Sequence, residues 1–243
     1  MKLHPILLAT LGIGASAALL HAFEVPVGPP VFSNPLAITS PYQPFVPGRV
    51  KHFEVIQGHP DAEDVENYTS ATRNFSWNGV TVACRILEET TIEDGEIVEI
   101  SRNHFAQADD GTLYYFGEVV DLYAGGIVVG HEGSWLVGGP SDPSDPPETA
   151  NDTDPNVFMP ANPELHDVYR PEDTLPVVDE SDEILKVGQR VHVPAGHFGN
   201  CIQVRESSVL TPDTETKWYA PGLGVVKVRE HGQVLALDSV SGP

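Results

Sequence analysis

The stretch IVEISRNHFAQADDGTLYYFGEVVDLYAGGIVVGHEGSW, residues 97–135, decides the fold class. Residues 97–107 and 112–123 are rich in Val, Ile, Tyr and Phe, and Ala108-Asp109-Asp110-Gly111 between them has the chemistry of a hairpin turn. A second turn, Ala124-Gly125-Gly126, returns the chain into residues 127–135. Successive strands joined by connections this short form an antiparallel meander, because parallel neighbours need a crossover of a dozen residues or more.

The same rhythm extends in both directions. Residues 68–77 and 80–89 flank Asn78-Gly79, a strong short-range hairpin signal, and Glu93-Asp94-Gly95 leads into Ile97. Beyond the middle of the chain, strand-like runs return at residues 189–193, 201–208, 217–220, 225–230 and 233–238. No segment carries sustained helical periodicity with caps, so an all-β protein with little helix is predicted. No internal repeat of fixed period stands out beyond the hairpin rhythm.

Three stretches lie outside that pattern. Residues 1–22 combine Lys2, an apolar run over residues 6–20 and small residues at Ala17 and Ala22, which reads as a cleaved secretory signal peptide. The run is short for a membrane span of roughly 20 residues, and no Cys follows it to take a lipid, so a secreted or periplasmic location is expected. Residues 23–41 form a Pro-rich arm ahead of a single antiparallel domain at 42–240, since prolines such as Pro26, Pro29, Pro30 and Pro35 cannot keep up a ladder. Residues 140–156 form an acidic, Pro-rich loop in which Asp142, Asp145, Asp152 and Asp154 are candidates for calcium-dependent adhesion, although the EF-hand spacing is absent.

A net charge of −22 excludes the partners that need a basic surface, so neither nucleic acid nor direct anionic membrane binding is expected. Cys84 and Cys201 are the two cysteines of an exported chain, and an even count there predicts one disulfide.

Several phrases carry a resemblance. Tyr42-Gln43-Pro44-Phe45-Val46-Pro47-Gly48, Trp77-Asn78-Gly79-Val80, Tyr115-Phe116-Gly117-Glu118, Glu132-Gly133-Ser134-Trp135 and Tyr219-Ala220-Pro221-Gly222-Leu223-Gly224 together resemble secreted bacterial domains of uncharacterised function, DUF3108-like or TapB-like. That resemblance implies a strongly curved antiparallel sheet, a half-barrel of the kind seen in periplasmic lipoprotein carriers. It brings no settled activity and no catalytic residues.

For the central hairpin, a turn with a glycine bulge would place Arg102 opposite Glu118, His104 opposite Phe116 and Ala106 opposite Tyr114. One face would then carry Arg102, His104, Tyr114, Phe116 and Glu118, with Trp135 nearby, as a surface for a small apolar or carbohydrate ligand or for an envelope protein. His104, Glu118, His131 and Glu132 are the candidate ligands for a divalent metal. No motif requires a cofactor: HExxH, GxSxG and phosphate-binding glycine loops are all absent. The expected function is a non-enzymatic ligand-binding or envelope-associated module. The alternatives are a metal-dependent hydrolase or oxidase using the His/Glu group, and calcium-dependent adhesion.

Overall fold

The computed structural model of the chain describes residues 23–25, 28–58 and 61–243, and the signal peptide assigned to residues 1–22 lies outside them. The strands are β1 (Phe23–Glu24), β2 (Val50–Gln57), β3 (Ala62–Trp77), β4 (Val80–Glu93), β5 (Glu96–Gln107), β6 (Leu113–Ala124), β7 (Ile127–Gly130), β8 (Trp135–Val137), β9 (Ala150–Asp152), β10 (Asn156–Met159), β11 (Asp167–Thr174), β12 (Val178–Val193), β13 (Gly196–Ser207), β14 (Thr214–Ala220), β15 (Gly224–Glu230) and β16 (Gln233–Ser241). All belong to one sheet, ordered β1-β11-β12-β13-β14-β15-β16-β2-β3-β4-β5-β6-β8-β9, with β7 and β10 also paired to β6. Neighbours are antiparallel except β1 beside β11 and β8 beside β9. The predicted all-β curved meander is what forms, and the sheet bends far enough to be a nearly closed barrel.

Local chemistry sets the turns. Asn78 and Gly79 both adopt positive φ, at 48° and 77°, as the tight turn between β3 and β4 requires. Short segments bridge the gap between the two long edges: β8 and β10 pair with β6, while Trp135 Nε1 donates to Glu172 of β11 at 3.1 Å.

The sheet contains two copies of one strand unit, a repeat that the hairpin rhythm does not reveal. Residues 66–77 of β3 and 182–193 of β12 share one order of buried, half-buried and exposed positions. The registers agree as well. Lys51 faces Glu66 as Tyr169 faces Asp182, and Glu89 faces Ser101 as Glu206 faces Glu215. The two units have different side chains at matching places, Tyr68 against Ile184 and Phe75 against Val191, so burial repeats while residue identity does not.

This duplication corrects the predicted disulfide. Cys84 and Cys201 occupy matching places on β4 and β13, one per unit, and lie in separate core clusters beyond bonding reach. Both are buried free thiols, and burial raises the pKa of each.

The meander alternates its turns between two ends of the barrel. The Pro-rich arm closes one of them. Gln107 N donates to Pro35 O and Gly222 N to Pro41 O, while Ile38, Gln43 and Phe45 are buried. Phe45 meets the Tyr68 ring edge-on at 5.0 Å. On the outer face of the first unit, Phe32 packs against Trp77, Tyr114 and Phe116.

Candidate functional site: an acid-lined cavity inside the sheet

The curved sheet encloses a cavity of about 340 Å³. The first unit lines it with Asp64, Glu66, Glu89, Glu99 and Glu118, and the second with Glu172, Glu180, Glu215 and Glu230. Phe53, Phe105, Tyr115, Phe158 and Tyr219 complete much of the wall, and among the described residues Lys217 is the lone basic one that lines it.

Strand phase explains why so many acids face inward. Asp64 and Glu66 alternate in step with the fully buried Tyr68 of β3, and Glu180 and Asp182 do the same with Ile184 of β12. On β6 a bulge supplies the phase. Gly117 has φ of 113°, and a Cβ there would stand 2.2 Å from the Trp135 carbonyl oxygen, so only glycine fits. The extra residue turns both Tyr115 and Glu118 toward the cavity, opposite Phe105 and Asn103.

The donors along the wall are committed to protein acceptors. Asn103 Nδ2 donates to Glu89 at 2.9 Å, and the Tyr115 hydroxyl donates to Asn103 Oδ1. Lys51 Nζ and the Tyr68 hydroxyl both reach Glu66, at 2.7 and 2.9 Å, and Lys217 reaches Glu206 at 2.6 Å. Glu118 and Glu172 hydrogen-bond each other, which requires a proton between two carboxyl groups. At the floor, Gln43 is 6% exposed and its side-chain oxygen has no hydrogen-bond partner.

Burial and crowding hold these acids protonated well beyond the usual range. Burial, reinforced by Glu66, pushes Glu89 up to about 8; burial and then Glu180 push Glu118 up to about 8. Glu215 rises to about 7 through burial, with Lys217 pulling the other way. Glu172 and Glu180 are driven well above the normal value, first by burial and then by Glu118 and Glu172 respectively. Lys217 resists the cost of burial because Glu206 and Glu215 outweigh it and raise its pKa.

The cavity opens at the end opposite the arm. A second hollow of about 260 Å³ shares Glu172, Glu180, Glu215 and Glu230 with it and continues past residues 177–179 and 206–214. The turns around this mouth carry exposed apolar side chains: Ile56, Ile97, Ile127, Leu175, Val209 and Leu210.

The residues singled out from sequence divide between two faces. Glu118 lines the cavity, and Trp135 fixes Glu172 beside it. Arg102 and His104 face the other side of the sheet, in a hollow of about 350 Å³ with Arg73, Asp142 and Asp145. There Arg102 pairs with Asp121 at 2.6 Å, because the bulge shifts its register partner from Glu118 to Val119. His104 is buried between Phe75 and the Gly117 carbonyl, 2.9 Å from Nδ1, and burial lowers its pKa to about 4, so it is neutral and donates that N–H. Tyr114 and Phe116 are buried under Phe32.

The proposed metal ligands are dispersed rather than gathered. His104 and Glu118 are on opposite faces, His131 pairs with Asp121 at 2.9 Å, and Glu132 is exposed. Among the described residues, no group of three or more His, Cys, Asp or Glu has a metal-holding arrangement. In the acidic loop, Asp145 takes a two-pronged contact from Arg73 at 2.7 and 2.6 Å. Asp152 accepts from Thr174 at 2.8 Å, and Asp154 accepts from Trp77 Nε1 at 3.0 Å. The readable signal that sequence reasoning passed over was acid in phase with buried aromatic and aliphatic positions.

No family model matches this chain, which leaves the DUF3108-like or TapB-like resemblance without support, and no curated protein matches it. Among solved structures it is similar to a candidate exported protein with a YmcC-like fold from Bacteroides fragilis, at 14% identity and a TM-score of 0.42 over 85% of this chain and 100% of that one. A candidate lipoprotein from Parabacteroides distasonis is similar at 11% identity and a TM-score of 0.41 over 82% of this chain and 98% of that one. Likeness at this level carries no information about activity.

Proposed function

We propose that the protein is a non-enzymatic binding module of the exported or envelope compartment, with its ligand held inside the curved sheet. The observation that carries this reading is the cavity of about 340 Å³, floored by the arm and continuous with an open, apolar-rimmed mouth. Its volume falls at the low end for small-molecule sites, roughly 300 to 1,000 Å³. Its wall mixes aromatic rings with oriented polar groups, as such sites do. The leader-like residues 1–22 and the acidic surface support an exported location.

The test pairs native mass spectrometry with thermal unfolding across a panel of small molecules, using the protein recovered after export. A saturable ligand should raise Tm, because binding to the folded state alone stabilises it. Val228→Trp, which fills the cavity from its β15 wall, should abolish that rise while the β-sheet circular dichroism is retained. A panel that leaves both mass and Tm unchanged would overturn the reading.

A further inference from the structure

We propose that the occupant of this cavity is an organic cation carrying at least two amine groups, held by carboxylates of both units and by the Gln43 side-chain oxygen. This rests on the cavity being a binding site, and it names the ligand class.

The reasoning is one of donors and acceptors. Nine carboxyl-bearing residues and one amide oxygen face the space, while Lys51, Asn103, Tyr115 and Lys217 already donate to protein groups. Gln43 Oε1 is the clearest vacancy, a buried acceptor at the floor with nothing to accept from. A buried acceptor left unsatisfied is costly, so the site demands a ligand that brings N–H donors. The acids lie on facing walls, from Glu89 and Glu118 of one unit to Glu180 and Glu215 of the other, rather than converging on one point. That spacing suits separated ammonium groups better than a single divalent ion, which needs six to eight oxygens at about 2.3–2.6 Å if it is calcium. Phe53, Phe105 and Phe158 offer apolar and cation-attracting surface for the methylene stretches between charges. The mouth repeats the chemistry of the interior, since four of its acids belong to both hollows.

Binding has a proton balance. Carboxyl groups that are neutral in the empty cavity ionise as each ammonium settles beside them, and their protons leave to solvent. Isothermal titration with spermidine and putrescine, repeated at pH 7.5 in two buffers of different ionisation enthalpy, should give one saturable site and net proton release. Gln43→Leu and Glu118→Gln should each weaken spermidine roughly tenfold. The cavity-filling Val228→Trp should abolish binding although it leaves the −22 surface charge unaltered. Equal spermidine affinity in Val228→Trp and Gln43→Leu would place the amine on the outer surface and overturn the proposal. Saturable binding of calcium chloride, N-acetylglucosamine or decanoate in place of the amines would overturn the ligand class but leave the binding-module reading standing. Failure of every probe in the panel would remove both. If Val228→Trp does not fold, the Gln43→Leu comparison and the proton count decide.

Discussion

The two strand units build the same wall with different chemistry, and they cover it differently. In the first unit Lys51 neutralises Glu66 through an ion pair; in the second the same register place holds Tyr169 against Asp182, a neutral partner for an acid. On the outside the contrast is larger. His104, 2% exposed, is roofed by the acidic loop and neighbours the arm, whereas its counterpart Trp218 is only half-buried and has Lys227 and Arg229 over its ring at 5.3 and 5.4 Å. Thus the chain covers one outer face with its own loop and leaves the matching face, with Arg190, His192 and Lys227, open. Interior function is shared between the halves, while thickness is not. A duplicated frame therefore constrains which way side chains point without fixing what they are.

The largest expected effect breaks that comparison at its charged pair. Lys51→Met leaves Glu66 buried without its cation and should cost about 3–5 kcal/mol in urea unfolding, since removing one partner of a buried pair strands the other. Tyr169→Phe, at the matching place, removes only a hydrogen bond and should cost about 1 kcal/mol. Equal losses would mean that the two units do not differ in the way their registers indicate.

A second effect follows from the shared interior. Glu118 and Glu89 titrate near 8 when folded and Glu215 near 7, each above its usual 4.5. For groups raised in this way the folded state holds more protons than the unfolded one. The stabilisation is complete below pH 4.5 and is lost as pH rises through 7 to 8. The empty protein should therefore lose a few kcal/mol of stability between pH 5 and pH 8.5, because a tenfold change in one group's proton affinity on folding is worth on the order of 1.4 kcal/mol. Glu118→Gln should flatten part of that slope, and an amine in the cavity should reverse it.

The fold was legible because turn chemistry and β-branched runs act over a few residues. Asn78-Gly79 and the Ala108–Gly111 turn each read correctly, and with them the antiparallel order. The site was less legible because facing depends on register, and one bulged residue at Gly117 decides it. Ala106 meets Tyr114 as expected, but beyond the bulge Asn103 rather than Arg102 faces Glu118. Curvature also brings together residues from β3 and β12 that no local pattern links. The repeat stayed hidden because the property its copies share is burial, met by Tyr68 in one and Ile184 in the other.

The smallest effect concerns the thiols, and it sharpens the comparison without disturbing the fold. Because Cys84 and Cys201 occupy matching places in separate clusters, a reductant should leave Tm unchanged, where loss of a native disulfide would typically cost about 2–5 kcal/mol. Both thiols should resist a maleimide in the native protein and react in guanidinium, since burial disfavours the thiolate and blocks the reagent. Under slow native-state labelling they should separate. Cys84 packs in the larger cluster with Phe75, Leu87 and Trp135, and that cluster lies beneath the arm. Cys201 packs in the smaller one with Phe53, Val191 and Leu237, behind the uncovered face. Local opening is cheaper where fewer apolar contacts must part, so Cys201 should label first, and its rate should be insensitive to Phe32→Ala, while Cys84 speeds up in that variant. Identical rates would mean that the cover on the first unit contributes nothing to its rigidity.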